Sequence, residues 1–258
     1  MFHYEEPVFR KKRLLRVEML EQLRDYPKNF LKQYFQEYSN GIVCGCQVTW
    51  DRGFLEISPG IVYHGGKLYF MDNPYKLECT ADDKIRYLKV HFVDKICEEG
   101  KTEGNGWIVL NDQKTDPVCE TELCRFRLQE GARLRDTYKD FEDYATEYDT
   151  INRIYVPFAA KGQPAMWPQL LMRFAREMME SGSQNVYDVS FAMNILSNQG
   201  AVSADCVGVY LQVRLGEEEV RSGNRQLYEG LKVALGLQKS KRPLAPAYNG
   251  ERRTIMLL

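Results

Sequence analysis

Residues suited to chemistry are few and scattered in this sequence. The three histidines are His3, His64 and His91: one near the terminus, one in a glycine turn, one in an apolar alternating stretch. A general base needs a positioned partner, and the sequence marks none for these three, which read as structural histidines. The seven cysteines, Cys44, Cys46, Cys79, Cys97, Cys119, Cys124 and Cys206, form an odd, scattered set. That pattern suits reduced thiols used as small hydrophobes better than a disulfide framework. Cys44 and Cys46 would share one face of a regular strand, and Cys119 with Cys124 could complete four ligands. A pair separated by one residue chelates poorly on an extended strand, so no metal is expected.

The segment Asp136–Asp149 is the strongest candidate for carboxylate chemistry. Asp136, Asp140, Glu142, Asp143, Glu147 and Asp149 are interleaved there with Tyr138, Phe141, Tyr144 and Tyr148. It lacks the alternating ligands, central glycine and terminal bidentate Glu of a helix-loop-helix calcium site. Nothing in it marks two carboxylates held at different pKa values, as glycoside hydrolysis requires. It reads first as a solvated or partner-facing acidic loop, with a metal or sugar site as the alternative. Candidate partner or ligand contacts are Asp140, Glu142, Tyr144 and Tyr148, together with Trp50 and Trp107. Gly65-Gly66-Lys67 lies in a strand-to-strand turn, without the following helix that a phosphate loop needs. No nucleophile elbow, dinucleotide fingerprint or helical double-His motif occurs, and no cofactor is expected. The basic run Arg10–Arg13 is short and lacks interleaved aromatics; it marks the solvent end of a helix or meets an acidic partner.

The elements that must position these residues fall into three groups. Arg10–Tyr38 carries an apolar stripe at helical spacing through Leu15, Met19, Leu20, Leu23, Phe30, Leu31, Tyr34 and Phe35. Pro27 interrupts it, which predicts a helix-break-helix ending near Ser39-Asn40-Gly41. From Gly41 the period changes to two: Ile42, Cys44, Cys46, Val48 and Trp50 alternate with small or polar residues. Asp51-Arg52-Gly53, Pro59-Gly60 and His64-Gly65-Gly66 then punctuate short strands, predicting a compact meander or small barrel. Further strands are expected at Arg86–Val93, Trp107–Leu110 and Leu123–Leu128, with Glu98–Gly106 as an exposed loop. Ile151–Phe158 reads as an extended connector or strand. Beyond Pro164 four helices follow, the third capped by Ser203, the fourth spanning about Asn224–Leu237. The tail Lys239–Leu258 reads as extended across a partner or mobile.

The resulting class is α+β: an N-terminal helical segment (1–40), a small antiparallel β domain (41–135), an acidic and aromatic connector (136–163), a helical domain (164–238) and the tail (239–258). A 258-residue chain with 44% hydrophobic and 28% charged residues has an ordinary globular balance. Its formal net charge of −1 provides no field for nucleic acid or a membrane surface. The N-terminus has no apolar core of signal-peptide length, and no apolar run is long enough to span a bilayer. The chain is therefore expected in the cytoplasm or in a particle assembled there. Aromatics at 12% suit a β-rich core or a contact surface.

The stretch Leu20-Glu-Gln-Leu-Arg-Asp-Tyr-Pro27, then Asn40-Gly-Ile-Val-Cys-Gly45, then Leu55-Glu-Ile-Ser-Pro-Gly60-Ile-Val-Tyr-His-Gly65-Gly-Lys-Leu68 resembles the N-terminal modules of baseplate and tail-fibre-attachment proteins of bacteriophages and phage-derived contractile particles of Gram-positive bacteria. In those, a Gly-Ile-Val-x-Gly … Ile-x-Pro-Gly-x-x-x-x-x-Gly pattern builds a small β module that docks onto a neighbouring tail protein. The stretches Glu122–Gly131 and Asp140–Asn152 resemble prophage-encoded proteins of similar length. The resemblance implies a non-enzymatic structural or adaptor component of a phage tail baseplate or tail-like injection particle. It would contact other tail or fibre proteins and self-associate in a symmetric assembly. The absence of fibrous repeats and of a long coiled coil argues for an adaptor rather than a receptor-binding fibre. The competing readings are a carbohydrate- or receptor-binding module and, third, a hydrolase using carboxylates of Asp136–Asp149.

Overall fold

A computed structural model of the chain describes residues 7–12, 14–97 and 101–239. The expectations for His3, for part of the Glu98–Gly106 loop and for the tail beyond residue 239 lie outside the described residues. The architecture is α+β. Among the described residues, one helix, α1 (Val17–Tyr34), precedes nine strands, and four helices follow them.

Helix α1 runs unbroken through Pro27, where a helix-break-helix was expected. A proline costs a helix one internal hydrogen bond, but on a helix with no buried residue water can serve the freed carbonyl. Six strands follow in two sheets. β1 (Gly41–Gly45), β4 (Gly60–His64) and β5 (Lys67–Met71) form one in the order β1-β4-β5. β2 (Val48–Asp51), β3 (Phe54–Ile57) and β6 (Tyr75–Glu78) form the other in the order β2-β3-β6. The expected small antiparallel module is present, built as two sheets rather than one meander: the β2-β3 hairpin lies in one sheet and the β4-β5 hairpin in the other. The cause lies at two corners. Gly45 and Cys46 both adopt positive φ (67° and 52°) and turn the chain from β1 into β2. Pro59-Gly60 turns it back from β3 into β4, directly opposite. Gly45 and Gly60 are paired in register. A Cβ on Gly45 would lie 2.0 Å from the Pro59 carbonyl oxygen, and one on Gly60 would lie 2.5 Å from the Cys46 nitrogen. Only glycine lets these two corners cross so closely. The Asp51-Arg52-Gly53 and Gly65-Gly66 turns close tight hairpins, as expected, with positive φ at the central residues.

The third sheet joins β7 (Ile85–Cys97), β8 (Lys101–Asn111) and β9 (Glu120–Arg127) in the order β8-β7-β9, all antiparallel. Residues 101–106, expected in a loop, extend β8 and pair with β7. One apolar cluster forms beneath the sheets, around Leu55, Ile57, Leu88, Cys124, Phe126 and Ile151.

A second cluster is built by α2 (Pro168–Glu180), α3 (Val186–Ser197), α4 (Ala204–Leu215) and α5 (Asn224–Lys239). Asn185 caps α3 by accepting from the Tyr187 and Asp188 amides, and Ser203 caps α4 by accepting from the Cys206 amide. The connector Ile151–Phe158, expected to be extended, is broken by a turn at Ile154–Tyr155; it makes isolated bridges through Asn152 and Phe158, and Phe158 packs against both cores. Among the described residues, no helix is long and apolar enough to cross a membrane.

Candidate docking surface

Two helices with similar sequence patterns meet different fates. In α2, Leu170, Leu171, Phe174, Ala175 and Met178 form an apolar stripe that is fully buried. In α1 the segregation is as clean. At 100° per residue, Met19, Leu20, Leu23, Tyr26, Pro27, Phe30, Leu31 and Tyr34 fall within roughly 140° of arc, and every other residue from Glu18 to Gln33 is charged or amide-bearing. None of them is buried. Tyr26, Phe30 and Tyr34 are 61%, 57% and 54% exposed. Single exposed apolar residues are ordinary, whereas a contiguous stripe of this size marks an interaction site.

The base of α1 is firmly attached. Phe35 stacks on Tyr63 of β4 with ring centroids 5.4 Å apart. Tyr38 bridges to Lys161, the Ser39 amide donates to the Ala160 carbonyl at 2.9 Å, and the Gly162 amide donates to the Glu37 carbonyl at 3.0 Å. Gly41 passes so close to the 157–159 backbone that a Cβ would lie 2.7 Å from it. A run of aromatic contacts, Phe30–Tyr34–Tyr38 and Phe35–Tyr38, continues from the helix into this base. The helix is thus held at its C-terminal end, and none of the described residues covers its apolar face.

The candidate contact residues named from sequence are not brought together. Trp107 on β8 is 60% exposed. It borders a groove of about 660 Å³ between β5 and β8, beside Phe70 and Tyr75. Neither of those aromatics was singled out from sequence; strand alternation alone does not show that β5 and β8 are both sheet edges meeting at one groove. Trp50 lies half-buried against the β core, its Nε1 buried without a hydrogen-bond partner.

The acidic segment differs most from its expectation. Phe141 and Tyr144 are core residues of the helical cluster, which removes Tyr144 from any contact surface. Tyr228 donates to the Phe141 carbonyl, and the Phe141 amide donates to Glu177. The carboxylates between these rings hold the segment's own shape. Asp143 accepts from Arg135 (2.7 Å), the Lys139 amide (2.7 Å) and Thr146 (2.8 Å). Asp140, just before the short 3₁₀ turn Glu142–Ala145, accepts from the Asp143 amide, and Asp149 accepts from the Gln129 amide. Glu142 and Tyr148 are exposed, and Tyr148 also accepts from Arg127 at 3.0 Å. The spacing of Tyr138, Phe141 and Tyr144 at every third position is the sequence signal for their shared packing in the helical core.

The Arg135 guanidinium, with the Lys139 amide and Thr146 hydroxyl, holds the Asp143 carboxyl well below its ordinary value of 3.8. A depressed carboxylate stabilises the fold above its unfolded pKa, and that stabilisation is lost as pH falls towards the folded one. Asp143→Asn should therefore unfold at lower urea than the parent at pH 7, and the gap should close progressively below about pH 4. A gap that stays constant down to pH 2.5 would show that the carboxylate charge contributes nothing.

Cys44 and Cys46 do not share a face. The positive-φ corner leaves Cys44 exposed and buries Cys46. Burial pushes the Cys46 and Cys79 thiols up to about 11 and that of Cys124 up to about 12, which keeps them protonated and unreactive. Among the described residues, no group of three or more His, Cys, Asp or Glu is arranged to hold a metal ion. His64 stacks on Phe92 at 4.3 Å with its ring nitrogens near the Val118 carbonyl and the Thr121 hydroxyl, a packing role.

No family model matches the chain, and no curated protein does. Among solved structures, the chain is similar to the crystal structure of TssK, at 9% identity and a TM-score of 0.39, over 92% of this chain and 72% of that one. A likeness of that size leaves function to be argued from the chain's own residues.

Proposed function

We propose that this chain is a non-enzymatic adaptor in a phage tail baseplate or tail-like injection particle, and that α1 is the surface by which it docks. The single observation that carries the docking role is the uncovered apolar face of α1, rigidly based on a folded β module. Amphipathic helices bind by laying such a face into a partner. The likeness of Met19–Phe70 to tail-attachment modules supports the particle context, and assembly in the bacterial cytoplasm goes with it. The deeply buried ionisable groups support a structural role. Lys89 is bonded to Glu120 and the Gln113 carbonyl, and Glu122 to Arg125 and Thr115. Each is committed to holding the fold.

Leu23→Glu and Phe30→Glu are expected to leave the chain's own stability within about 0.5 kcal/mol, as surface substitutions do. Both should prevent incorporation into particles purified from cells that express the neighbouring tail genes. Normal incorporation of both variants would overturn the docking role. Neighbouring genes that encode a metabolic pathway, with no sheath, tube or spike protein, would overturn the particle context.

The groove beside Trp107 favours a second reading, a carbohydrate- or receptor-binding module, because exposed Trp107, Phe70 and Tyr75 offer flat faces for stacking. Trp107→Ala separates the two readings: it should abolish receptor or glycan binding under the second and leave incorporation intact under the first.

A further inference from the structure

The flanks of the α1 face indicate what covers it. On one side the apolar arc is bordered by Arg24 and Lys28, with exposed Val17 between them at the helix start, on the other by Gln22, Asn29 and Gln33, while Glu18, Glu21, Asp25 and Lys32 point away from it. From these positions we infer that the occupant is α1 of further copies of this chain, packed side by side in a parallel bundle of three or more helices. The inference rests on the docking role of α1 proposed above.

Three observations carry it. First, in a parallel cyclic arrangement each helix sets one flank against the opposite flank of its neighbour. Cationic Arg24 and Lys28 then meet the amide oxygens of Gln22, Asn29 and Gln33. Arg24 is bridged to Asp25 at 2.7 Å and keeps further donors for that contact. An antiparallel pair would set Arg24 and Lys28 against their own copies, which is repulsive. Second, the arc is too wide for a two-stranded seam, which uses a narrow stripe; a helix touching two neighbours needs the greater width. Third, the area is sufficient. The 18-residue helix is about 27 Å long, and its apolar arc presents on the order of 500 Å². Two such faces together reach the roughly 1,000 Å² at which specific association begins, and each added copy increases it. The expected association is accordingly weak in isolation and reinforced by assembly.

Sedimentation of the full chain between about 1 and 100 µM should show a reversible rise from monomer to a species of at least three copies. Phe30→Glu should weaken that association at least ten-fold while its thermal midpoint matches the parent's. Single cysteines introduced as Leu20→Cys and Tyr34→Cys distinguish direction. Each should form disulfide-linked pairs with itself, beyond the background from native Cys44, whereas mixing the two should give few mixed pairs. A monomer at every concentration, a species that stops at dimer, or mixed pairs outnumbering like pairs would overturn the inference. A strictly monomeric chain whose Phe30→Glu variant still fails to enter particles would overturn self-packing alone and leave the docking role standing.

Discussion

Replacing Asp188 by alanine is expected to lower the unfolding free energy by about 3–5 kcal/mol, the cost of stranding a buried charge. Asp188 is fully buried at the start of α3 and joins three helices. One carboxylate oxygen accepts from Tyr210 at 2.8 Å and Arg214 at 2.6 Å, both on α4. The other accepts from Ser183 at 2.9 Å and from Gln238 on α5 at 2.8 Å. Burial and the neighbouring carboxylate push the Tyr210 hydroxyl upward, so it stays a donor. Without Asp188, the Arg214 guanidinium, 9% exposed and with one nitrogen already lacking a partner, would keep its charge in an apolar surround. Replacing both members with apolar residues should recover only the part due to the stranded Arg214 charge, because Tyr210 and Gln238 still lose their buried acceptor. Urea unfolding of Asp188→Ala, Arg214→Met and the double variant measures this. A single-variant loss below about 1 kcal/mol would show that the pair is dispensable.

The second large effect is backbone crowding. Gly45→Ala and Gly60→Ala are each expected to cost more than about 4 kcal/mol, in the exceptional range for single substitutions, or to leave the chain insoluble. Gly45 combines positive φ with a backbone oxygen 2.0 Å from where the Cβ would sit, and Gly60 meets the Cys46 backbone at 2.5 Å. Gly65 is the internal control. It too has positive φ (55°) but nothing within 4 Å of its would-be Cβ, so Gly65→Ala should cost only the conformational 1–2 kcal/mol or so. Thermal melts of the three variants decide it. Equal losses at Gly45 and Gly65 would mean that the corners do not need their close approach.

These two sites also show how far the sequence could be read. The hairpin turns and strand alternation of 41–78 were legible because glycine and period two announce them. The pairing was not, because it depends on positive φ at Cys46, a conformation its side chain does not advertise. Helices α2, α4 and α5 are legible from apolar spacing and the Ser203 cap, and α3 from the stretch before Gly200, two residues short of its start at Val186. Asp188, by contrast, gave no sign of being the shared partner of Tyr210, Arg214 and Gln238, since these meet only in three dimensions. Charges between 136 and 149 suggested solvent, yet Phe141 and Tyr144 decided the segment's position, because burying an aromatic ring outweighs exposing short carboxylates that find local donors. The apolar stripe of α1 was plain from its spacing. Periodicity shows that a face wants covering and says nothing about which molecule covers it; Tyr26 completes that face, next to a proline that reads as a break and does not break the helix.

The most direct test of the docking role is hydrogen exchange across Val17–Tyr34, compared between dilute free chain and assembled particles. The account predicts rapid exchange in the free chain, where no packing holds the helix closed. In the particle it predicts protection of at least a hundred-fold, centred on Leu23 to Phe30, with the β core unchanged. Equal exchange in both states would contradict it and leave the apolar face of α1 without a partner.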